Sequence, residues 1–201
     1  MKPTLFVDFD GTLCHDRFWR SADKKVIRGI QKLLFGVDGS RVDDWMRGRY
    51  ASEEINRFLA EKLNIPFEKL WGIFVSDCKS MNVSADVLNK IEILRARYNT
   101  VLITGNMDCF TRFTIPTLGL DGHFDQIFNS ADHGKFKDDD RGKIFMGILD
   151  KSNSNIKNSF LIDDSKTTCE TFSGLGGKPL RVTNTTPAEY WLDYLNKNTN
   201  I

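Results

Sequence analysis

Two carboxylates two residues apart, Asp8 and Asp10, end an apolar run near the start of the chain, Thr4-Leu-Phe-Val-Asp-Phe-Asp-Gly-Thr-Leu13. In a regular strand, residues two apart share a face. A buried strand that ends in alternate acids is costly unless something cationic, usually a metal, lies against them. Gly11 lets the chain turn sharply just beyond. The same residues also suit an acidic strand end in solvent, or a plain hairpin turn at Asp10-Gly11. Alone, the segment leaves these readings open.

Three more polar groups have a comparable placement. Thr104 closes Val-Leu-Ile-Thr and precedes Gly105-Asn106, giving a hydroxyl and backbone amides at a turn that suits phosphoryl oxygens. Asp163 and Asp164 end the apolar strand Phe160–Ile162, ahead of Ser165, and paired acids there again suit a hard cation held by oxygens. Between them, residues 135–143 offer Lys135, Lys137 and Lys143. Immediately after the acidic turn come Arg17, Phe18, Trp19 and Arg20. Phe18 is expected to pack, while Arg17 and Arg20 are candidates for contact with an anionic substrate.

The elements that must position these groups follow from hydrophobic periodicity. Five short apolar runs, 4–9, 100–104, 126–129, 159–163 and 179–183, read as strands. Two are nearly continuous, as expected for parallel strands covered on both faces. Helical segments separate the later strands, at Gly142–Lys151 and at Ser165–Phe172 with Ser165 as N-cap. Alternating strands and helices predict a doubly wound, Rossmann-like α/β sheet. Residues 15–98 differ: 21–35, 40–48, 52–63, 66–81 and 84–97 have helical spacing. Ser21, Ser40, Ser52 and Ser84 are candidate caps, and Pro66 suits a first turn. Five helices in a row are too many for a simple crossover. They predict a helical subdomain, 15–98, inserted into a core made of 1–14 and 99–201. Such an insert can cover the carboxyl ends of the strands, where open α/β sheets bind ligands.

Composition narrows the class. A chain of 201 residues with 40% hydrophobic residues and 15 Phe can bury a sizeable core. With 28 Lys plus Arg against 27 Asp plus Glu, the net charge of +1 argues against a dedicated nucleic-acid or membrane-surface protein. Cys14, Cys78, Cys109 and Cys169 lack metal-ligand spacing and read as reduced structural thiols. With no signal-peptide pattern and no long apolar stretch, a cytoplasmic location is expected. The sequence does not specify an oligomeric state.

In a parallel sheet the strand ends converge on one edge. Asp8, Asp10, Thr104, a lysine and Asp163-Asp164 would then supply a nucleophile, a proton shuttle, a divalent-ion site and cationic neutralisation, as phosphoryl transfer requires. Asp8-Phe-Asp-Gly-Thr-Leu13, the Thr104 strand, a lysine and Ile162-Asp-Asp164 resemble the four ordered motifs of the haloacid dehalogenase (HAD) superfamily, over essentially the whole chain. Ser130-Ala-Asp-His-Gly-Lys-Phe-Lys137 is similar to the segment before that family's lysine, and in that register the lysine is Lys137. Many relatives have Pro next, whereas here Asp138-Asp139-Asp140 follows, three acids that would lower the local positive potential. The insert resembles the α-helical cap of one branch of the superfamily.

The resemblance implies a Mg²⁺-dependent phosphatase acting on a small phosphorylated metabolite. Asp8 would attack phosphorus and carry an aspartyl-phosphate. Asp10 would protonate the leaving alcohol and then activate water, with its backbone carbonyl facing the metal. Thr104 would bind the transferring phosphoryl group, and Lys137 would neutralise Asp8 and the phosphoryl oxygens. Asp163 and Asp164 would complete the Mg²⁺ site begun by Asp8 and Asp10. Gly11, Thr12, Gly105 and Asn106, with Arg17 and Arg20, form the expected substrate-binding set. Dehalogenase members usually lack an acid at the position of Asp10, because a halide needs no proton. Other readings are a phosphomutase, a phosphonate hydrolase using an imine-forming lysine such as Lys24, Lys25 or Lys62, a receiver-like phospho-switch, and a non-catalytic phosphate-binding protein.

Overall fold

The structure, a computed structural model, describes residues 2–36 and 39–198. Between strand β1 (Thr4–Val7) and strand β2 (Asn99–Thr104) lie helices α1 (Lys24–Phe35), α2 (Ser40–Met46), α3 (Ser52–Leu63), α4 (Phe67–Lys79) and α5 (Ala85–Leu94). A π-helical turn, Phe110–Thr114, and the short helices α6 (Ile115–Leu118) and α7 (Leu120–His123) lead to strand β3 (Gln126–Asn129). Next come α8 (Ser130–His133), α9 (Lys143–Lys151), β4 (Phe160–Asp163), α10 (Lys166–Gly174), β5 (Lys178–Arg181) and α11 (Ala188–Asn198). The strands pair in parallel throughout, in the order β3-β2-β1-β4-β5.

Strand alternation divides the sheet's side chains between two cores. Leu5, Val7, Leu102 and Ile162 join one cluster, closed by residues of α5 and α11. Phe6, Val101, Ile103 and Leu161 join the other, with Phe145 of α9 and Phe172 of α10. The rings of Phe6, Phe145 and Phe172 meet edge to face at 5.0–5.6 Å. With both faces covered, this is the doubly wound α/β architecture that the near-continuous apolar strands predict.

The helices between β1 and β2 build a third core, centred on Trp19, Trp45 and Phe74. The rings of Trp19 and Phe74 meet at a tilt, 4.9 Å apart, with Trp45 at 6.0 Å from each. Phe18 packs against this group. Helix α5 falls inside the expected 15–98 insert yet sends Val87, Leu88, Ile91 and Leu94 into the sheet's cluster. Its apolar face is matched to the sheet and α11, so in packing terms it belongs with them. The caps also differ in detail. Asp23 rather than Ser21 caps α1, its carboxylate accepting from the Lys25 amide at 2.7 Å. Ser40 and Ser52 are the first residues of their helices. Ser84 does precede α5, and Pro66 precedes α4.

Helix α3 takes its cap from a distant residue. The Asp108 carboxylate, in the loop after β2, accepts from the Ser52 hydroxyl at 2.5 Å and from the Ser52 amide at 3.2 Å. It also accepts from Trp45 Nε1 at 2.9 Å and Arg112 at 2.8 Å, and Arg112 in turn pairs with Glu53. Burial pushes the Asp108 carboxyl up, but the hydrogen bonds from Ser52, Trp45 and Arg112 outweigh it and hold the pKa below the usual carboxylate range. Asp108 therefore ties the helical core to the sheet. Asp108→Asn is expected to cost about 2 kcal/mol, a fall in Tm of roughly 4–8 °C. A depressed carboxyl contributes stability that is present above its unfolded pKa of about 3.9 and is lost as pH falls through the lower folded value. The difference in denaturation midpoint between Asp108→Asn and wild type should thus be full at neutral pH and shrink below about pH 4.

No helix among the described residues is long and apolar enough to cross a membrane. All four cysteines are buried thiols.

Candidate active site

The central strands deliver the polar groups. Val7 of β1 is level with Leu102 of β2 on one side and Ile162 of β4 on the other. Asp8, Thr104 and Asp163 therefore emerge side by side at the carboxyl edge. The Asp8 amide donates to the Ile162 carbonyl at 2.9 Å, which carries the strand geometry one residue beyond β1 and fixes the side chain. The chain then coils: the amides of Thr12, Leu13 and Cys14 all donate to the Phe9 carbonyl. Gly11 has φ +77°, and a Cβ there would stand 2.4 Å from an Asp164 carboxylate oxygen. Both constraints require glycine, and both bring the Asp8–Thr12 turn against Asp164.

Asp8 and Asp163 are almost fully buried, and Lys137 bridges them, its Nζ 2.8 Å from Asp8 and 2.6 Å from Asp163. Asp163 has its other oxygen on the Ser165 amide at 2.8 Å, while the Ser165 hydroxyl caps α10 through the Thr168 amide. One oxygen each of Asp8, Asp163 and Asp164 lies within 4.8 Å of the others. Asp8 and Asp163 share a single lysine, with Asp164 close by, so the pocket is short of positive charge. Accordingly, burial raises the pKa of Asp8 despite the opposing pull of Lys137, and burial likewise raises that of Asp163. Burial acts to lower Lys137, but Asp8 and Asp163 outweigh it and hold the ammonium firmly charged. The donor set is oxygen only, which suits a hard divalent ion such as Mg²⁺ and not a zinc-type site.

Asp10 lies on the cleft wall, its side chain 38% exposed. Asn106 holds it, donating from Nδ2 to a carboxylate oxygen at 2.7 Å, and is itself oriented by the Met107 amide on its Oδ1 at 2.9 Å. Burial pushes the Asp10 pKa up to about 6, against the attraction of Arg17 and Lys137. A carboxyl with that value can give and take a proton near neutrality. Its side chain stands apart from the three-carboxylate cluster. Thr104 and Thr12 are buried with hydroxyl oxygens that have no protein partner. Such orphaned groups are uncommon and suit a ligand that supplies the missing bonds.

The structure separates the candidate lysines. Lys137 enters the site, Lys135 pairs with Asp140 at 3.3 Å, and Lys143 is exposed at the start of α9. Of the three acids after Lys137, two have cationic partners of their own, and Asp138 lines the cleft beside Lys137. Asp139 is clamped by Arg47 at 2.5 and 3.0 Å, Asp140 by Lys135, and Asp138 accepts from the Thr168 hydroxyl at 3.1 Å. Arg47 also donates to the Gly134 carbonyl at 3.2 Å and lies over the Phe136 ring, so the segment that carries Lys137 is held by a residue just after α2. Nothing in Arg47-Gly-Arg49 distinguishes this arginine from a solvated one in sequence.

Two of the expected substrate contacts are placed differently. The Arg20 guanidinium is turned to α4 and the residue after it, donating to the Asp77 carbonyl at 2.9 Å and the Ser80 carbonyl at 2.6 Å. It closes the end of that helix rather than facing the cleft, because those carbonyls would otherwise lack partners. Asn106 has its backbone amide on Ser130 Oγ at 3.0 Å, so it acts on Asp10 instead of offering an open amide. Arg17 does stand at the cleft, 67% exposed and 3.9 Å from Asp10. Gly105 lines the cleft as well.

The cleft has two lobes that meet at Asp10, Met46 and Gly105. One, of about 410 Å³, contains Asp8 and Lys137. The other, of about 250 Å³, runs under the helical core. Asp8, Asp10 and Lys137 thus face one space, an arrangement of residue types that can serve hydrolysis through a covalent intermediate.

Known proteins share the fold that carries these groups. The model of the family described as haloacid dehalogenase-like hydrolase matches residues 3–169. No curated protein matches the chain in sequence. Among solved structures, a HAD family enzyme from Bacteroides thetaiotaomicron, in complex with magnesium and inorganic phosphate, is 16% identical, with a TM-score of 0.68 over 91% of this chain and 95% of that one. A HAD-like family hydrolase from Porphyromonas gingivalis is 19% identical, with a TM-score of 0.69 over 99% and 100% of the two chains. A 2-haloacid dehalogenase from Pseudomonas syringae pv. tomato is 13% identical, with a TM-score of 0.60 over 90% and 86%. At such identities the likeness is one of fold. The family match covers most of the chain, and the protein belongs to the haloacid dehalogenase-like hydrolases.

Proposed function

We propose that this hydrolase is a Mg²⁺-dependent phosphatase that cleaves a small phosphorylated metabolite through a phosphorylated Asp8. The observation that carries this reading is Asp10. A carboxyl held by Asn106 at 2.7 Å and shared by both lobes of the cleft, its pKa raised toward neutrality, can protonate a leaving alcohol and then take a proton from attacking water. Halide departure needs no such acid. The Asp8 carboxylate attacks phosphorus, the ester oxygen leaves with the proton from Asp10, and water activated by Asp10 then hydrolyses the aspartyl-phosphate. Lys137 offsets negative charge on Asp8 and on the phosphoryl oxygens, and the Thr104 hydroxyl donates to one of them.

Asp8 and Asp164, with Asp163 beside them, would hold Mg²⁺, which when bound supplies the charge that lets an anionic nucleophile approach an anionic ester. The magnesium and phosphate in the Bacteroides enzyme of like fold support the assignment. The helices before residue 82 serve as a cap over the cleft, with α5 assigned to the core. Buried thiols suit a reducing compartment, and we read the enzyme as cytoplasmic. A lysine-imine route is disfavoured, since Lys24, Lys25 and Lys62 are exposed, and Lys137, the lysine lining the lobe that contains Asp8, is committed to Asp8 and Asp163.

Phosphate release from p-nitrophenyl phosphate should require Mg²⁺, vanish in EDTA and return when Mg²⁺ is restored, with no halide released from 2-chloropropionate. Release that persists in EDTA, or chloride release in place of phosphate release, would overturn the reading.

A further inference from the structure

The lobe of the cleft under the helical core is walled by Phe18, Phe35, Val42, Met46, Met81 and Met107. These residues come from the turn after β1, helices α1 and α2, the loop after α4 and the loop after β2, so the apolar wall is assembled from both the helical core and the sheet. Val42, Met81 and Met107 are each less than 10% exposed, whereas Phe35 stands at 61%. Polar groups are few and mostly engaged. Asp16 accepts from the Asn82 amide at 2.9 Å and lies 3.5 Å from Arg20, and Asp10 accepts from Asn106. Arg17, 67% exposed, donates from one nitrogen to the Asp16 carbonyl and is the cation of this lobe.

Asp10 divides the two lobes. With the phosphoryl group against Asp8 and Lys137, the group that takes the proton from Asp10 continues into the apolar lobe. A hydroxyl buried there would lose its water without gaining a partner, while a hydrocarbon surface would displace water from methionine and phenylalanine side chains. The volume of about 250 Å³ lies below the usual range for drug-sized ligands, so the group is compact.

We infer that the substrate is a phosphomonoester of a small, predominantly apolar alcohol or phenol, and that Val42, Met46, Met81 and Met107 select it over polyhydroxylated esters. The inference rests on the phosphatase reading for the direction in which the leaving group points. Its ligand class is nevertheless testable by binding alone. Any charged substituent would lie near the junction of the lobes, where Arg17 stands 3.9 Å from Asp10.

The test uses two kinds of probe on the full-length protein with Mg²⁺. Benzylphosphonate, which cannot be hydrolysed at its P–C bond by this chemistry, should bind by calorimetry at least about tenfold more tightly than a phosphonate analogue of glycerol 3-phosphate. Phenyl phosphate should likewise exceed glycerol 3-phosphate and glucose 6-phosphate in kcat/KM by about tenfold or more. Met81→Gln should narrow both ratios several-fold, and Val42→Thr supplies a milder change if the first variant does not fold. Equal or reversed preference in the binding experiment overturns the inference, whatever the enzyme hydrolyses. Selective phosphonate binding without any phosphate release keeps the ligand class and removes the phosphatase reading instead.

Discussion

Asp8→Asn is expected to lower Mg²⁺-dependent phosphate release by about four orders of magnitude or more while leaving the protein as stable as before, or more so. The loss follows from removal of the attacking oxygen, for which the neighbouring carboxylates are no substitute. Asp163 has both oxygens committed, to Lys137 and to the Ser165 amide, and Asp10 is held on the cleft wall by Asn106. The gain or neutrality in stability follows from burial. Asp8 is 6% exposed in its side chain, shares its lysine with Asp163, and has a carboxyl whose pKa burial has raised. Asparagine keeps the shape and removes one of two like charges beside that lysine. Initial rates of phosphate release and thermal melts of the same preparations test both halves. Residual activity within about tenfold of wild type would sink the nucleophile assignment.

Lys137→Met has the opposite signature, with activity and stability falling together. Its Nζ lies within 2.8 Å of two nearly buried carboxylates, and methionine leaves both without a cation. Removing one partner of a buried ion pair costs about 3–5 kcal/mol, or roughly 6–20 °C in Tm for a chain of this size. Turnover should fall by about 10²–10³ as charge on the transferring group goes unmet. The cost should be non-additive. In Lys137→Met, adding Asp8→Asn removes one of the stranded charges and should recover a substantial part of the lost stability, and added Mg²⁺ should raise Tm more than in wild type. A surface lysine would give no change in Tm and simple additivity.

What could be read in the sequence and what could not differ by range. The sheet was legible because both of its faces are buried, and the apolar runs of β1, β2 and β4 carry that signal in their own composition. Asp8, Thr104 and Asp163 were legible because strand ends in a parallel sheet converge regardless of what joins them. Lys137 could be set apart from Lys135 only through resemblance, since the carboxylates that discriminate them belong to strands far away in sequence. Long-range polar partners left no local trace. Arg47 clamping Asp139, Asp108 capping α3, and Arg20 closing α4 each pair residues more than fifty positions apart. For the same reason Asn106 read as a turn residue facing substrate, when its side chain holds Asp10. The place of α5 was hidden because its helical period is the same whether it packs on helices or on a sheet.

The central claim is that Asp8 carries the phosphoryl group and Asp10 works on either side of that event. An Asp10→Asn enzyme tests it most directly. With p-nitrophenyl phosphate the leaving group departs without help from an acid, so Asp8 should still be phosphorylated, while hydrolysis of the intermediate should stall for want of a base. Rapid acid quench followed by intact-mass and peptide mapping should find one phosphoryl group, on Asp8, accumulating in Asp10→Asn with Mg²⁺ and absent from the Asp8→Asn protein. A phosphorylated residue elsewhere, or turnover of p-nitrophenyl phosphate by Asp10→Asn with no covalent phosphate on Asp8, would contradict the account.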